Sequence, residues 1–311
     1  TKNGLKYFRY QAIKFLPDEI KKKFFNKNAD IISDSLAKIM KTLLVKRIDS
    51  SFEAFKMSLK RYHDANTAMV KMIDNGRIFI APKLGVNDYI LNDDEESLQK
   101  LLEDTQDTNI IQAFSVEEFA PEFIDGIYHD QKVLDKLVES WSRIIQDPKY
   151  DELVFRLKNE LMKKNINDNG KLILFSESKE TTDYISKRLK KDGFDRLIAV
   201  DSSNQKDLSE IIAANFDANL KLDEQKNDYD IIITTEVLAE GVNLHRSNVI
   251  VNYDIPWNAT RLMQRIGRVN RIGTPSDKVY IYNFFPTAKT DNEIELNKKA
   301  YIKLQAFHSA L

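Results

Sequence analysis

Residues 171–178 read KLILFSES: four consecutive apolar residues are followed directly by small polar ones. Similar short apolar runs recur downstream, separated by segments with helical spacing, at Leu197–Val200, Ile231–Ile233, Val249–Val251 and Val279–Tyr282. Near-continuous apolar strands that alternate with helices are typical of a parallel sheet covered on both faces. The sequence therefore predicts an α/β domain, from residue 165 to residue 311, whose buried parallel strands are flanked by helices.

The region before this domain has a different pattern. In Ala29–Tyr62 and Gln131–Met162, apolar residues recur largely at steps of three and four, which indicates amphipathic helices. A polar, turn-rich segment, Asn165–Gly170, then leads into the first apolar run. We therefore expect residues 1–164 to form a mainly helical region that precedes the α/β domain.

Composition limits the class of protein. The chain has 311 residues, of which 42% are hydrophobic and 31% charged, a balance typical of globular proteins. It has no apolar run of about 18 residues, so no membrane-spanning helix is predicted. The absence of cysteine excludes disulfides and thiolate zinc sites, and no metal site is predicted. The composition fits a cytoplasmic protein, and the start at threonine rather than methionine suggests a piece of a longer one.

Four arginines fall within one short segment: Arg261, Arg265, Arg268 and Arg271. Residues 256–273 read PWNATRLMQRIGRVNRIG, and Asn258 is a candidate N-cap for a helix that begins near Ala259. One face of that helix carries four polar residues spaced three, four and three apart: Arg261, Gln264, Arg268 and Arg271. A row of guanidiniums next to glycines suits a polyanion such as a triphosphate, although the formal net charge of the chain is only −1. The alternative is a buried salt-bridge network, which would require matching carboxylates, and none lies on this face.

Three segments resemble the motifs of superfamily 2 helicases. Gln264–Arg271, QRIGRVNR, looks like motif VI, whose core is Gln-Arg-x-Gly-Arg-x-x-Arg. Thr234–Leu244, TTEVLAEGVNL, resembles motif V at the expected distance upstream, and Leu172–Ser178 is similar to motif IV. The resemblance implies a RecA-like fold and the C-terminal motor lobe of an ATP-dependent helicase or translocase. It looks closest to the branch that contains chromatin remodellers and the bacterial polymerase-recycling ATPase, and Met40–Ser51 resembles the helical element that joins the two lobes in that branch.

The resemblance also implies roles for single residues. In such helicases the last two arginines of motif VI, here Arg268 and Arg271, reach across a cleft to the γ-phosphate of the nucleotide. Gly241 matches a glycine near the nucleotide, and Asn243 stands where some RNA-remodelling relatives use aspartate on the ribose hydroxyls. Two further residues match positions that help to organise the nucleotide site: Gln264 and Arg265.

Hydroxyl residues that follow the strands are candidates for nucleic-acid contacts. Parallel sheets place ligand sites at the carboxyl ends of their strands, and in the family such hydroxyls and backbone amides meet strand phosphates. The candidates are Ser176, Ser202, Thr234 and Thr235. Serine and threonine at strand ends also commonly cap the next helix, so a structural role is the alternative for each.

The sequence lacks the phosphate-binding loop Gly-x-x-x-x-Gly-Lys-[Ser/Thr]. Of its nine glycines only Gly170 is followed by lysine, and Leu172 comes next. No predicted strand ends in a convincing magnesium-binding Asp-Glu pair. In the family both elements belong to the first RecA-like lobe. The resemblance therefore implies that ATP and Mg²⁺ bind mainly to a lobe outside this chain, and that the chain alone is inactive as an ATPase.

The implied partners are that N-terminal RecA-like lobe and DNA, with duplex favoured and RNA as the alternative. A non-catalytic, helicase-derived module that binds DNA or protein is a second interpretation. The presence of both Arg268 and Arg271 argues against it, since a lobe that meets no nucleotide has little need of them. A nucleotide-sugar transferase, which also pairs two α/β lobes, is disfavoured by the missing glycine-rich loop and the motif VI match.

Overall fold

The computed structural model describes residues 4–25, 29–80, 112–239, 241–256 and 259–285. The chain divides into two compact units. The helical unit comprises Thr1–Lys46 and Lys56–Ile145, and the sheet unit comprises Arg47–Phe55 and Gln146–Leu311. The domain boundary expected at residue 165 falls inside the sheet unit.

The helical unit is mainly α-helical where the structure describes it. Its helices are a 3-10 helix at Phe8–Phe15, α1 at Asp18–Phe24, α2 at Ala29–Ser50, α3 at Phe52–Asp74 and α4 at Pro121–Ser142, with α2 ending and α3 beginning in the sheet unit. Two short strands, β1 (Arg77–Ile80) and β2 (Gln112–Ser115), pair antiparallel. A short 3-10 helix, Val116–Glu118, follows β2. The helical character confirms the prediction from sequence, which did not include the strand pair.

The core of the helical unit packs aromatic rings against α4. The ring centroids of Phe15 and Phe119 lie 5.5 and 5.1 Å from that of Phe123, which is fully buried on α4. Ring pairs at such distances contribute about 0.5–1.5 kcal/mol beyond the burial of their area. These rings therefore hold the N-terminal segment and the segment after β2 onto the same helix.

Gly126 and Asp130, one turn apart on α4, fix the N-terminal segment more specifically. The buried carboxylate of Asp130 accepts hydrogen bonds from the backbone N–H groups of Lys6 (2.8 Å) and Phe8 (2.9 Å). The ring of Phe8 lies directly over Gly126, where a Cβ would come within 2.5 Å of the ring carbons. Glycine is therefore the residue that lets the N-terminal segment pack at this point of α4.

The sheet unit alternates strands and helices. Its elements are α5 at Pro148–Arg156, a π-helical turn at Leu157–Leu161, β3 at Leu172–Phe175, α6 at Lys179–Lys191, β4 at Leu197–Val200, α7 at Gln205–Phe216, β5 at Ile231–Thr234, a 3-10 turn at Glu236–Leu238, β6 at Val249–Asn252, α8 at Ala259–Val269 and β7 at Tyr280–Asn283. All five predicted strands form within one residue of the expected bounds. Helix α8 begins at Ala259 as predicted, but it ends at Val269, so Arg271 lies two residues beyond the helix on which it was expected. The proposed N-cap, Asn258, lies outside the described residues.

The strands of the sheet unit form one parallel sheet in the order β4-β5-β3-β6-β7. The first strand in the chain, β3, is central: Leu172 pairs with Ile231 on one side and with Val249 on the other. Strands β3, β5 and β6 are buried along their whole length, which explains why their sequences are continuously apolar rather than alternating.

Helices cover both faces of this sheet, because successive side chains of a strand point to opposite faces. Leu172 and Leu174 pack in a core with Tyr150 of α5. Ile173 and Phe175 pack in a second core on the other face, which includes residues of α7. The predicted fold class, an α/β domain with a RecA-like parallel sheet flanked by helices, is confirmed.

The segment Arg47–Phe55, where α2 ends and α3 begins, belongs to the sheet unit through polar contacts. The Nζ of Lys149, at the start of α5, donates to the backbone carbonyls of Asp49 (2.6 Å) and Ser50 (3.1 Å). These carbonyls belong to the last turn of α2, where a helix leaves acceptors unpaired and a cation is favourable. Burial lowers the pKa of Lys149, and the nearby carboxylates of Asp254, Asp49 and Asp147 act in the opposite direction.

Two helical glycines test the packing of the N-terminal segment. We expect Gly126→Ala to destabilise the helical unit by about 1–3 kcal/mol, because the new methyl group overpacks against Phe8. Gly267→Ala is the matched control, since a Cβ at Gly267 in α8 meets no atom within 4 Å in the part of the chain that the structure describes. Alanine there should stabilise by up to about 1 kcal/mol. Urea unfolding followed by circular dichroism measures both changes, and equal effects at the two glycines would contradict the contact with Phe8.

Candidate nucleotide and nucleic-acid sites

Asp254, two residues after β6, is the centre of a buried polar network at the carboxyl ends of β3 and β6. Its Oδ2 accepts hydrogen bonds from the hydroxyls of Ser50 (2.5 Å) and Ser176 (2.8 Å), and its Oδ1 accepts one from the backbone N–H of Glu177 (2.6 Å). Ser50 also shares a hydrogen bond with Thr181 Oγ1 at 2.7 Å. Three donors satisfy a carboxylate that is only 5% exposed, as a buried charge requires.

Arg47 connects the same junction of α2 and α3 to the start of α6. Its Nη1 donates to Ser178 Oγ (2.7 Å) and to Glu180 Oε2 (3.1 Å). Ser178 is the N-cap of α6, because its Oγ accepts from the backbone N–H of Thr181 at 3.3 Å. This part of motif IV is therefore occupied by helix capping and by the helical junction.

The four hydroxyl candidates for nucleic-acid contact divide into two pairs. Ser176 and Thr234 are fully buried, and their hydroxyls bond inside the protein: Ser176 in the network just described, and Thr234 to the carbonyl oxygen of Val200 (3.0 Å). The structure therefore argues against phosphate contacts through these two hydroxyls, because burial leaves a phosphate no access. Ser202 is exposed and Thr235 is half-buried, so both are accessible.

An ion pair holds the turn that carries Ser202. Asp201 receives hydrogen bonds from Lys179 Nζ (2.8 Å) and from the backbone N–H of Ser203 (2.7 Å). Partial burial raises the pKa of Asp201, but the hydrogen bonds from Lys179 and Ser203 outweigh it and lower the pKa to about 2. The carboxylate therefore stays ionised and fixes the turn after β4 to the start of α6.

Arg265 is a structural brace rather than a ligand-binding side chain. It is fully buried, its Nη1 donates to Asn252 Oδ1 (2.8 Å) and to the backbone oxygen of Asp254 (3.1 Å), and its Nε donates to Glu236 Oε1 (2.9 Å). Its Nη2 forms an ion pair with the same oxygen of Glu236, and the guanidinium lies 5.0 Å from the ring centroid of Phe175. The direct nucleotide contact considered for Arg265 conflicts with this burial. A salt-bridge network, the alternative for the arginine segment, is present at this one arginine.

Loss of this brace should destabilise the sheet unit strongly. We expect Arg265→Ala to lower the free energy of unfolding by about 3–5 kcal/mol, the usual cost of removing one partner of a buried ion pair. Arg261→Ala, on the same helix but not fully buried, is the control and should change it by less than about 0.5 kcal/mol. Urea unfolding of both variants measures the difference, and similar losses would show that Arg265 is not a brace.

Arg271 and Asn243, 28 residues apart in the sequence, are in contact. The Nη1 of Arg271 donates to Asn243 Oδ1, and its Nε donates to the backbone oxygen of Gly267 (3.0 Å). The Nδ2 of Asn243 in turn donates to Asp217 Oδ2 (3.0 Å). The structure thus brings together two residues that the resemblance places at the nucleotide, and it adds Asp217 beside them.

This contact lies away from the carboxyl edge of the sheet. Helix α8 begins after β6 and ends before β7, so its last turn lies toward the amino ends of the parallel strands. The backbone N–H of Leu244 donates to the carbonyl oxygen of Arg268 (3.0 Å), and Thr274 Oγ1 donates to that of His245 (3.2 Å). Leu244 and His245 come shortly before β6, and Thr274 comes before β7, so these contacts lie near the amino ends of the strands. The rule that ligand residues gather at strand carboxyl ends therefore does not locate Arg268 and Arg271.

The remaining candidates for the nucleotide site are Arg268, Gln264 and Gly241. Arg268 and Gln264 are half-buried on α8, where Arg268 Nε donates to the backbone oxygen of Gln264 (3.4 Å). Gly241 is exposed with a φ of +77°, a backbone conformation that L side chains rarely adopt. Among the described residues, no atom lies within 4 Å of the position that a Cβ would take there. Glycine is thus required by the backbone, and the space over it is open.

His245 lies buried beside the contact of Arg271 with Asn243. Its ring is 0% exposed, its Nδ1 is 3.7 Å from Asp217 Oδ1, and neither ring nitrogen has a hydrogen-bond partner among the described residues. Burial lowers the pKa of His245, and the nearby charge of Arg271 lowers it further, whereas Asp217 acts in the opposite direction. The folded protein therefore favours the neutral imidazole.

The lowered pKa of His245 makes the stability of the sheet unit depend on pH. Below about pH 6.5 the histidine of the unfolded chain binds a proton that the folded ring resists. The free energy of unfolding should therefore fall as the pH falls through this value, by at most about 1.4 kcal/mol per pH unit from this group. We expect His245→Gln to flatten this part of the profile, measured by urea unfolding between about pH 7.5 and 5.5. Parallel profiles would show that His245 does not cause the dependence.

Sequence reasoning missed several residues that organise these sites. The sequence marks Glu236 and Asp254 as candidates for a polar site, because both follow buried strands. It does not pair them with Arg265, because the motif resemblance assigns that arginine to the nucleotide. Nothing in the sequence marks Asp217, because it follows a helix and lies outside every motif.

The helices that the structure describes include none with the length and apolar character of a membrane span. The described residues also include no group of three or more histidine or acidic side chains that could hold a metal ion.

Comparison with known proteins places this segment in a family. Residues 153–273 match the model of the helicase conserved C-terminal domain. This range contains β3 to β6, α6 to α8 and every candidate residue described above. The matched segment, rather than the chain as a whole, is therefore assigned to the helicase conserved C-terminal domain, the C-terminal lobe of superfamily 2 helicases.

The individual relatives are named as helicases, and they are much longer than the segments that match this chain. An uncharacterized ATP-dependent helicase of Bacillus subtilis, YqhH, is 30% identical over 189 residues, which are 58% of this chain and 29% of that protein. The ATP-dependent RNA helicase DeaD of Haemophilus influenzae is 34% identical over 114 residues, which are 36% of this chain and 17% of that protein. The matched segments thus span less than a third of these relatives. A solved structure of the C-terminal part of the Fun30 ATPase domain is 17% identical and covers 96% of this chain and 86% of that chain, with a TM-score of 0.41.

Proposed function

We propose that this chain is the C-terminal motor lobe of an ATP-dependent DNA helicase or translocase. The observation that carries the proposal is the difference in burial between Arg265 and the two arginines that follow it. Arg265 is fully buried and braces the fold, whereas Arg268, one turn later on α8, and Arg271, two residues beyond the end of that helix, are half-buried. Two guanidiniums held at and just beyond the end of a braced helix are suited to an anionic ligand brought by another lobe.

In this proposal the ligand is the γ-phosphate of ATP, held with Mg²⁺ mainly by a first lobe outside this chain. The residues present fit such a ligand: Arg268 and Arg271 supply positive charge, and the open space over Gly241 admits a ligand near Asn243. Gln264 lies one turn before Arg268 on the same helix. ATP supplies the phosphoryl group that is transferred, and positioned cations stabilise the charge that develops on it. Because that first lobe would hold the phosphate-binding loop, we expect this chain alone to be inactive.

The proposed nucleic-acid contacts lie on the other side of the domain, at the carboxyl ends of β4 and β5. Ser202 and Thr235 are accessible there, and hydroxyls and backbone amides at strand ends can bind phosphates without reading sequence. DNA is proposed from the resemblance to the remodeller-like branch. Relatives such as DeaD are named RNA helicases, which makes RNA the specific alternative.

ATP hydrolysis by the full-length protein that contains this chain tests the proposal. We expect nucleic acid to stimulate turnover and Arg271→Ala to lower kcat by about 10³-fold or more, the range known for arginine fingers. Arg156→Ala is the control, because Arg156 is an exposed arginine whose ion pairs lie within one helical stretch, and it should leave turnover unchanged. Full activity of Arg271→Ala would contradict the proposed finger.

The choice of nucleic acid separates the remaining interpretations. Duplex DNA, single-stranded DNA and single-stranded RNA of equal length are compared as activators of the same protein. Stronger stimulation by RNA would assign the motor to RNA, and a protein that binds DNA without any turnover would favour the non-catalytic binding module. Turnover by the purified 311-residue chain with ATP and Mg²⁺ would contradict the need for a first lobe.

A further inference from the structure

Asp217 is held rigidly where α7 ends. Its backbone N–H donates to the carbonyl oxygen of Ala213 (2.9 Å), and its Oδ1 accepts from the backbone N–H of Asn219 (2.8 Å). The side chain is only 16% exposed. With Oδ1 engaged in its own turn, Oδ2 faces Asn243 and accepts from Nδ2 at 3.0 Å.

This contact fixes which way the amide of Asn243 points. A carboxylate can only accept hydrogen bonds and a guanidinium can only donate them. Asn243 lies between Asp217 and Arg271, so one orientation alone satisfies both neighbours: Nδ2 toward Asp217 and Oδ1 toward Arg271. Asp217 therefore makes Asn243 an acceptor for Arg271 without touching the arginine itself.

The result is a guanidinium whose direction is set from two sides. The Nε of Arg271 is fixed by the carbonyl oxygen of Gly267, and its Nη1 is fixed by Asn243. These contacts use two of the five N–H donors of the side chain. An arginine side chain held in this way loses less conformational freedom when it binds an anion than a mobile one would.

We propose that Asp217 is a positioning residue for the motor, which orients Arg271 through the amide of Asn243. This inference rests on the proposed function, in which Arg271 meets the nucleotide. The competing explanation is that Asp217 serves only the fold, through its turn with Asn219 and its proximity to the buried ring of His245, whose Nδ1 is 3.7 Å away. That explanation predicts effects of Asp217 on stability but none on the guanidinium of Arg271.

The first test follows the side chain of Arg271 directly, by ¹⁵N NMR of arginine side chains in the 311-residue chain. In the parent, we expect restricted rotation and slow solvent exchange of the Arg271 N–H groups, assigned with Arg271→Lys. Asp217→Ala should weaken both, because only the contact of Nε with Gly267 still holds the side chain, whereas Asp223→Ala, which removes an exposed carboxylate from the same loop, should leave both unchanged. An unchanged Arg271 signal in Asp217→Ala overturns the proposal.

An exchange of the two side chains distinguishes orientation from simple packing. In the double variant Asp217→Asn and Asn243→Asp, the carboxylate lies next to Arg271 and accepts from it, while the amide of residue 217 donates to that carboxylate. We expect the double variant to regain the restricted Arg271 signal that the single variant Asp217→Asn weakens. A double variant that behaves no better than Asp217→Asn alone argues for a purely structural role and overturns the proposal. Asp217→Asn keeps the shape of the side chain, so the comparison holds even where Asp217→Ala fails to fold.

Turnover of the full-length protein then connects orientation to function. We expect Asp217→Ala to lower kcat by about 10- to 100-fold with little change in KM for ATP, the scale of a misplaced catalytic group, and Asp223→Ala to change neither. If Arg271→Ala is itself fully active, the proposed function fails, and NMR still decides whether Asp217 orients the arginine. If Arg271→Ala is inactive but Asp217→Ala keeps full kcat, the positioning role fails and the proposed function stands.

Discussion

The buried guanidinium of Arg265 is the interaction on which the sheet unit depends. A charge with no exposed surface is tolerated only when its donors are satisfied, so Glu236, Asn252 and the carbonyl of Asp254 must all keep their places together. These acceptors come from the turn after β5, the end of β6 and the segment after β6. Arg265 therefore fixes α8 against the sheet. The positions of the residues that follow it on that helix depend on this contact.

Asp254 extends the same constraint to another part of the chain. Its backbone carbonyl accepts from Arg265, while its carboxylate accepts from Ser50 and Ser176. One residue thus joins α8, the end of β3 and the junction of α2 and α3. A change at that junction would act on the arginine helix through a few hydrogen bonds rather than through the whole core.

The sequence predicts the sheet well and the side-chain roles only in part, for physical reasons. Strands buried on both faces, such as Leu172–Phe175, must be apolar throughout, so their sequences identify them. Arg265 belongs to a motif whose pattern does not show burial, and its carboxylate partner Glu236 lies 29 residues upstream on a different element. Ser176 shows the same limit, because a small polar residue after a strand suits either a phosphate or a buried carboxylate. Asp217 could not be found at all, since only the fold brings the end of α7 to Asn243.

The central position of β3 has a consequence for how the domain is made. During synthesis β3 leaves the ribosome before the strands that pair with its two edges, β5 and β6, exist. Its apolar residues and unpaired backbone groups therefore stay exposed while α6, β4 and α7 are synthesised. Exposed strand edges of this kind favour pairing with other chains. Long-range parallel pairing also slows folding. The strand order that places the arginine helix thus leaves β3 with an unpaired edge until β6 has been synthesised.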